Sequence, residues 1–393
     1  MSKWICFFLV FVEIQSLPGQ RCATYKPGPT YRSISTQDFK IQFRQKLQCR
    51  LIFHIFYSSA EEKLSAMQVY SQMEVLNRYF NNAVNAEDYN IPEAFRNLKA
   101  NPNIEFCLAD KDPVGNASIG IEWISISDLS IACKTEFGKR SLMHKNLGGV
   151  DLWDPKTYIN IFVINRSQCP VLGEAIYPWD ASSDEDGIIL DYRSIGSIGT
   201  AHGNKPFHQG KTLVHEMGHF FGLFHLSGDQ ANCVGDDIVA DTPLQGLEYF
   251  GCPKYPQVSC GQNSQFMNFM SLVDDACMHL FTIGQVNRMQ EQIQLYRPEI
   301  GKMNCTMRLQ DDLKQVIVRQ NQLDWQLLSK SRGYFSCNLE LYDMNGRLRW
   351  KQQFEEAVSV TISAELLDVN PGVYFLLVSN KEEKLCYKLI LVQ

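Results

Sequence analysis

Apolar residues form two kinds of pattern in the first three quarters of the chain, and each pattern predicts its own type of element. A mostly apolar run at residues 50–58 predicts a buried strand, and residues 103–109, 158–164 and 187–192 predict further strands. His54 lies within the first run, where we expect a core histidine with satisfied hydrogen bonds rather than a ligand. Residues 119–123 fit either an edge strand that pairs with an extended substrate or a plain strand.

Helical spacing of apolar side chains predicts three helices. Val69, Met73, Leu76 and Phe80 fall on one side of a helix over residues 67–84. Two further helices are predicted over residues 211–223 and 282–296. Together with the strands, they predict an α/β domain over residues 46–300, with a mixed twisted sheet in its upper half and a loop-rich lower half.

The pattern changes after Pro298, where short alternating segments separated by turn signals replace the earlier runs. Asn345-Gly346 between two such segments is a strong hairpin signal. We therefore expect a separate, small all-β sandwich over residues 307–393.

Composition adds a cellular context. The chain has 393 residues, a net charge of −6 and no basic run interleaved with aromatics, so we do not expect nucleic acid as a partner. Lys3 precedes an apolar run at residues 4–12 that is too short for a permanent anchor. This pattern predicts a signal peptide over residues 1–19 and a short pro-segment over residues 20–45, with an uncleaved anchor as the alternative. Cys6 lies within the expected signal peptide, so export would place the other 12 of the 13 cysteines in an oxidising compartment.

The stretch from His215 to His225 combines three histidines and one glutamate at fixed spacing. On a helix, His215 and His219 project from one face and can reach one metal ion, with Glu216 beside them. Gly222 can adopt a positive φ, end the helix and turn the chain so that His225 completes the set. Three neutral nitrogen ligands leave a fourth position for water, which is typical of a catalytic zinc site.

This spacing resembles that of the metzincin metalloproteases, in which a methionine turn follows the third histidine. The resemblance places Met270, in Asn268-Phe269-Met270, beneath the zinc as an apolar floor for the histidine rings, and Met267 is the rival methionine. It implies a zinc endopeptidase in which Glu216 takes a proton from the attacking water and delivers it to the leaving amine.

A longer series of residues is similar to the pappalysins, especially their cytophagalysin and ulilysin-like members. The series extends over roughly residues 45–298 and includes residues 106–109, 153–155, 158–160, 186–187, 236–243, 268–270, 277–278, 281–282 and 285–289. The resemblance implies two disulfides, Cys233–Cys260 and Cys252–Cys277, that would join the loops between the zinc helix and the methionine turn. We expect the mature protein to be a monomer that acts on proteins or peptides.

One residue departs from the pappalysin pattern. Leu272 stands where these enzymes commonly carry a tyrosine, two residues after the methionine of the turn. Loss of a hydrogen-bond donor to an oxyanion slows catalysis about a hundredfold or more unless another donor substitutes. His202, His208 and His279 are candidates for that donor, and each is also consistent with a surface histidine. The alternative function is therefore a zinc-bearing binding protein that is slow or inactive, with a hydrolase of non-peptide amides as a third class.

Cys22 follows the expected signal peptide in a segment that resembles the Arg-Cys-Gly motif of some family zymogens, with Ala23 in place of glycine. A thiolate in the fourth position of the zinc would displace water and keep the precursor latent. An ordinary disulfide is the alternative, and it would avoid leaving an odd number of cysteines.

Calcium is the second metal expected. The resemblance places it in the loop that contains Asp236, Asp237 and Asp241, with the carbonyls of Val239 and Thr242 as further oxygen ligands. Solvated surface acids are the alternative reading of the same residues.

The resemblance also points to a specificity pocket just before Cys277. Ulilysin-like members have an acidic residue there and accept arginine or lysine after the cut, whereas this chain has Ala276, preceded by Asp274 and Asp275. We predict a weakened or absent preference for arginine, unless a shift of the loop brings Asp275 into the pocket.

The C-terminal segments at residues 372–375 and 388–392 resemble a sorting domain read by the type IX secretion machinery. This resemblance implies a destination outside the cell, and a carbohydrate- or protein-binding module is the alternative.

Overall fold

The structure is a computed structural model. It describes residues 20–22, 24, 46–81, 88–116, 118–126, 140–169, 171–302, 305, 316–321, 324–329, 335–357, 359–363, 370–380 and 384–391. The expected signal peptide and most of the expected pro-segment lie outside these residues.

The first part of the chain folds around one twisted mixed sheet. Its strands, together with one short strand outside the sheet, are β1 (Gln20–Cys22), β2 (Leu47–Tyr57), β3 (Lys99–Ala100), β4 (Ile104–Leu108), β5 (Ile121–Ser125), β6 (Tyr158–Ile164), β7 (Val171–Ala175) and β8 (Ile188–Asp191). The order across the sheet is β1-β7-β8-β6-β2-β4, with β5 also paired to β2 and β3 outside the sheet. All neighbours run parallel except β7 and β8, which are antiparallel.

The helices that accompany these strands in the described part of the chain include α1 (Ala66–Asn81), α2 (Glu93–Arg96), α3 (Lys211–Phe220) and α4 (Ile283–Tyr296). α1 and α3 pack on the sheet, and their apolar faces share a buried core with Phe53, Ile161 and Leu190. The structure confirms the predicted strands and helices, with bounds shifted by up to three residues.

His54 is fully buried in β2, as the apolar run predicts. Its Nδ1 lies 2.8 Å from Glu122 Oε2 and its Nε2 lies 3.0 Å from Asn160 Oδ1. It is therefore a satisfied core histidine.

The lower half consists mainly of loops between α3 and α4. Its short strands are β9 (Val258–Ser259), β10 (Gln262–Asn263) and β11 (Phe281–Thr282), and β11 pairs with β3. The structure contains both predicted disulfides, Cys233–Cys260 and Cys252–Cys277. A third, Cys107–Cys305, joins β4 to the segment after α4.

The C-terminal region is all-β, as predicted. Its strands are β12 (Val316–Asn321), β13 (Asp324–Ser329), β14 (Phe335–Asp343), β15 (Leu348–Ala357), β16 (Ser359–Ser363), β17 (Gly372–Ser379) and β18 (Lys384–Leu391). They form one sheet in the order β12-β13-β16 and another in the order β15-β14-β17-β18. One buried cluster contains side chains from both sheets, so the region is a sandwich. The predicted hairpin joins β14 to β15, with Gly346 at a φ of 74°.

Among the described residues, no helix combines the length and the apolar character that crossing a bilayer requires.

Candidate metal centre

Helix α3 carries two of the three predicted metal ligands. The chain turns just after the helix and brings the third ligand back to it. His215, Glu216 and His219 are fully buried on α3. The helix ends at Phe220, three residues earlier than predicted, because Gly222 adopts a φ of 89°. Leu223 N donates to Gly218 O across this turn. The turn brings His225 back to the same face of the helix.

The three ring Nε2 atoms form a nearly equilateral triangle. His215 and His219 are 3.1 Å apart, His219 and His225 are 3.1 Å apart, and His215 and His225 are 3.2 Å apart. Zinc–nitrogen bonds of 2.0–2.1 Å in a tetrahedral site give an N···N separation of about 3.3 Å. The donor set therefore fits a zinc ion.

The Nδ1 atom of each histidine ring also has a hydrogen-bond partner. Nδ1 of His215 lies 2.6 Å from Phe269 O, and Nδ1 of His219 lies 2.8 Å from Leu223 O. Nδ1 of His225 lies 2.6 Å from Asp229 Oδ1. All three partners are acceptors, so each Nδ1 carries the proton and each Nε2 lone pair points into the triangle. Lone pairs that face each other at this distance repel unless a cation lies between them.

Met270 contacts helix α3 at Gly218. A Cβ added at Gly218 would lie 2.4 Å from Met270 Sδ, so the absence of a side chain at Gly218 lets the methionine pack directly on α3. Asn268 Oδ1 accepts the N–H of Met270 and thereby shapes the turn. The same turn presents Phe269 O to His215.

Two buried arginines on or just after α4 hold the end of α3. Arg288 Nε donates to Gly222 O at 2.8 Å, and Arg297 Nη1 donates to Phe220 O at 3.1 Å. Arg297 also pairs with the buried carboxylate of Asp186. Cations at a helix C-terminus satisfy carbonyls that lack helical partners. The ligand pattern alone does not point to these residues.

The side chain of Glu216 extends from α3 towards β7. A Cβ added at Gly173 of β7 would be only 2.6 Å from Glu216 Oε1, so this glycine makes room for the carboxylate. Oε1 is buried without a hydrogen-bond partner in the structure, and Oε2 lies 3.2 Å from Thr24 Oγ1. Burial raises the pKa of Glu216 to about 7. A carboxylate with this pKa is suited to exchange protons near neutral pH.

Cys22 joins the three histidines. Its Sγ and the three histidine nitrogens all lie within 4.8 Å of one another, and the side chain is buried and not disulfide-bonded. Cys22 reaches the site because β1 pairs with β7, with Cys22 opposite Gly173. Thr24 extends the contact, since Thr24 Oγ1 accepts the N–H of Ala175 at 2.9 Å.

The candidate substrate-pairing strand lies far across the sheet from the histidines. Residues 119–123 contribute to β5, which pairs with β2 on the side of the sheet away from the histidines. Within the described residues β5 pairs with β2 alone and so lies at an edge of the sheet, but this is not the edge beside Glu216, which does not support the substrate-pairing alternative. β7 is the strand beside Glu216, and its short sequence, with Gly173 and Glu174 inside it, gives no strong strand signal.

Leu272 is buried, and the three histidines considered as replacement donors do not join the metal centre. His202 is exposed, His208 is half-buried and His279 is buried, and none belongs to the group around Cys22. A tyrosine that the sequence analysis missed does reach the site: the buried Tyr177 Oη lies 3.3 Å from His219 Nδ1.

The three acids proposed for calcium separate into different environments. Asp241 accepts hydrogen bonds from Thr282 Oγ1 and Gly284 N and so supports the start of α4. Asp236 is exposed. Asp237 is buried, and Thr242 Oγ1 lies 2.8 Å from its Oδ1 and 2.8 Å from Val239 O. The structure therefore keeps Asp237, Val239 and Thr242 together but not all three acids.

Asp275 and Ala276, the two candidate pocket residues, differ in their exposure to solvent. Ala276 is exposed. Asp275 is fully buried, and its Oδ2 accepts the N–H of Gln209 at 2.7 Å. The residue preferred after the cut stays a prediction.

Comparison with known proteins supports this site. Residues 145–294 match the peptidase M43 family model, which is described as pregnancy-associated plasma protein-A. An extracellular metalloprotease of Arthroderma benhamiae is 38% identical over 143 residues, which are 35% of this chain and 52% of the relative. One from Arthroderma otae is 31% identical over 208 residues, which are 47% of this chain and 73% of the relative. The chain thus spans about half the length of the first relative and nearly three quarters of the second.

Two solved structures from Tannerella forsythia are also similar. Mature mirolysin in complex with a cleaved peptide superposes with a TM-score of 0.59 and 35% identity, covering 65% of this chain and 98% of mirolysin. A promirolysin mutant gives a TM-score of 0.61 and 35% identity, covering 66% of this chain and 85% of the other.

Proposed function

The chain belongs to the pappalysin (M43) family of metzincin metallopeptidases, and on that premise we propose that it is a secreted zinc endopeptidase made as a latent precursor. The triangle of Nε2 atoms carries the proposal, because it pairs a zinc-type donor set with an adjacent buried carboxylate. His215, His219 and His225 would hold the metal. Zinc at this position supplies Lewis acidity, which lowers the pKa of a water molecule and polarises a carbonyl oxygen.

Glu216 performs the proton transfers. Its carboxylate takes a proton from the water that attacks the peptide carbonyl, and it then delivers that proton to the leaving amine. Two features of the chain support this role: the space that Gly173 leaves at Oε1, and a pKa that burial raises to about 7. Protein or peptide substrates follow from the reaction.

Cys22 and Thr24 form the latency device. The Cys22 thiol lies with the three histidines, where a thiolate would occupy the position that water needs. Thr24 Oγ1 lies 3.2 Å from Glu216 Oε2 and so engages the general base at the same time. β1 lies along β7, the strand that borders the site. Removal of this segment would expose both the metal and the base.

Calcium binding at the loop of Asp237 is a further part of the proposal. The buried Asp237 carboxylate, Val239 O and Thr242 Oγ1 are hard oxygen donors close to one another. Burial and the neighbouring Asp236 raise the pKa of Asp237 well above its ordinary value, so a bound cation would stabilise its charged form.

Secretion of the protein rests on the N-terminal apolar run and on the C-terminal segments described above. The sandwich would serve as the sorting domain for type IX secretion. Its role is separate from the reaction, because the described residues that gather at the metal centre, Cys22, His215, His219 and His225, all precede the sandwich.

Cleavage of a mixed peptide library tests the reaction. The parent for this assay is Cys22→Ser, which removes the blocking thiol, and the test variant adds Glu216→Ala. We expect the parent to cleave internal peptide bonds and the double variant to retain zinc but lose nearly all turnover. Glu299→Ala, at an exposed ion pair with Lys302, serves as the control. Zinc binding without cleavage by the parent, even after the pro-segment has been removed, would favour the inactive binding protein.

A further inference from the structure

His225 differs from the other two proposed ligands in how its ring is held. His215 and His219 lie on α3, and their Nδ1 atoms face the backbone carbonyls of Phe269 and Leu223. His225 lies beyond the helix, and its Nδ1 faces a carboxylate, Asp229 Oδ1, at 2.6 Å. The ligand that the helix does not orient therefore has a charged partner, Asp229.

Asp229 is held in place by a tightly packed turn. Its φ is 58°, and Gly228 before it also has a positive φ, of 60°. A Cβ at Gly228 would lie 2.4 Å from Asp236 N, and a Cβ at Gly235 would lie 2.0 Å from Ser227 O. Glycines at both positions thus let the two backbone segments touch.

Ser227 links Asp229 to a second carboxylate, that of Glu248, by hydrogen bonds. Asp229 N donates to Ser227 Oγ at 3.1 Å, and Ser227 Oγ donates in turn to Glu248 Oε1. The loop between Cys233 and Cys260 carries Glu248. Hydrogen bonds therefore connect the disulfide-bonded loop, through Ser227 and Asp229, to the ring of His225.

We infer that Asp229 is a positioning residue of the metal centre, which fixes the tautomer and orientation of His225, and that Ser227 and Glu248 hold Asp229 for this role. The inference rests on the proposed zinc site. A carboxylate that accepts the Nδ1 proton turns the Nε2 lone pair towards the metal and makes it more basic. Loss of such a partner lowers metal affinity about 10–100-fold.

The experiment measures zinc affinity of the full chain by competition with a chelator. Asp229→Asn keeps the shape and tolerates a positive φ but removes the charge. Ser227→Ala tests the outer part of the network without changing any charge. Glu299→Gln is the control, since it removes an acid whose carboxylate pairs with Lys302 at the surface instead. Absorption of the cobalt-substituted proteins reports the ligand environment, and unfolding of the metal-free proteins reports the fold.

We expect Asp229→Asn to lower zinc affinity about 10–100-fold and to shift the cobalt spectrum, with unchanged unfolding of the metal-free protein. Ser227→Ala should act in the same direction with a smaller effect. Affinity equal to that of the control in both variants would overturn the inference, as would a loss explained by unfolding of the metal-free protein. Zinc that persists in His219→Ala would instead refute the zinc site itself, and the inference would fail with it.

Discussion

Glu216 shows how one side chain acquires its chemistry from its neighbours. It follows a metal ligand on α3, but its environment comes from β7, where Gly173 leaves space for the carboxylate. The motif on the helix identifies Glu216 from sequence. Its contact with Gly173 could not be predicted, because it depends on how a strand 43 positions away along the chain packs against the helix.

The pKa of Glu216 sets the expected pH dependence of the reaction. Burial raises this pKa from 4.5 to about 7, and only the deprotonated carboxylate can accept a proton from water. In the unprocessed Cys22→Ser chain, where Thr24 still covers the Glu216 carboxylate, kcat/KM should therefore fall about tenfold per pH unit below about pH 7. A pH profile of peptide cleavage measures this limb. An acid limb that begins near the ordinary glutamate value of 4.5 would contradict the role of burial.

Cys22 is expected to control latency through its thiol. Cys22→Ser should give a precursor with measurable activity before processing, because a hydroxyl binds zinc far more weakly than a thiolate. Cys49→Ser is the matched control, since Cys49 is also buried and free but does not belong to the metal group. Cleavage of a peptide by the unprocessed chains provides the measurement. Equal latency in Cys22→Ser and the parent would reject the switch.

Among the elements, those with long or regular patterns were predictable and the short ones were not. β2 and β6 are mostly apolar, and α1 has clear helical spacing. β7 has only five residues, including a glycine and a glutamate, and it owes its place to pairing with β8. The more apolar residues 119–123 therefore suggest a substrate-pairing strand in the sequence, although they lie towards the opposite edge of the sheet from β7.

The loop that contains Asp237 should respond to calcium and to pH. Burial raises the pKa of Asp237, so the folded calcium-free protein favours the neutral acid. Its contribution to stability is present at low pH and is lost as the pH rises through the raised pKa. In a calcium-selective chelator, the unfolding temperature of the parent should therefore fall with rising pH more than that of Asp237→Asn.

Adding calcium to the same samples tests the proposed ligand. Calcium should raise the unfolding temperature of the parent and leave Asp237→Asn unchanged, because a ligand stabilises only the folded state that binds it. Thermal unfolding at about pH 5 and pH 8 gives both comparisons. The same calcium response in the two proteins would show that Asp237 is not a ligand.

At the scale of the whole molecule, the division of the chain into an α/β part and a β-sandwich was predictable from the change of pattern after Pro298. Both disulfides of the lower half followed from the resemblance to the pappalysins. The resemblance did not identify three supporting residues, because each reaches the site through contacts outside the ligand motif: Arg288, Arg297 and Asp229. Sequence therefore identified the residues of the site better than those that hold them in place.

Zinc content of purified variants tests the central claim most directly. We predict about one zinc per chain in the parent and in Glu216→Ala, and its loss in His219→Ala and His225→Ala. Elemental analysis by mass spectrometry after dialysis gives the number. Full zinc occupancy in His225→Ala would contradict the three-histidine site, and with it the proposed reaction.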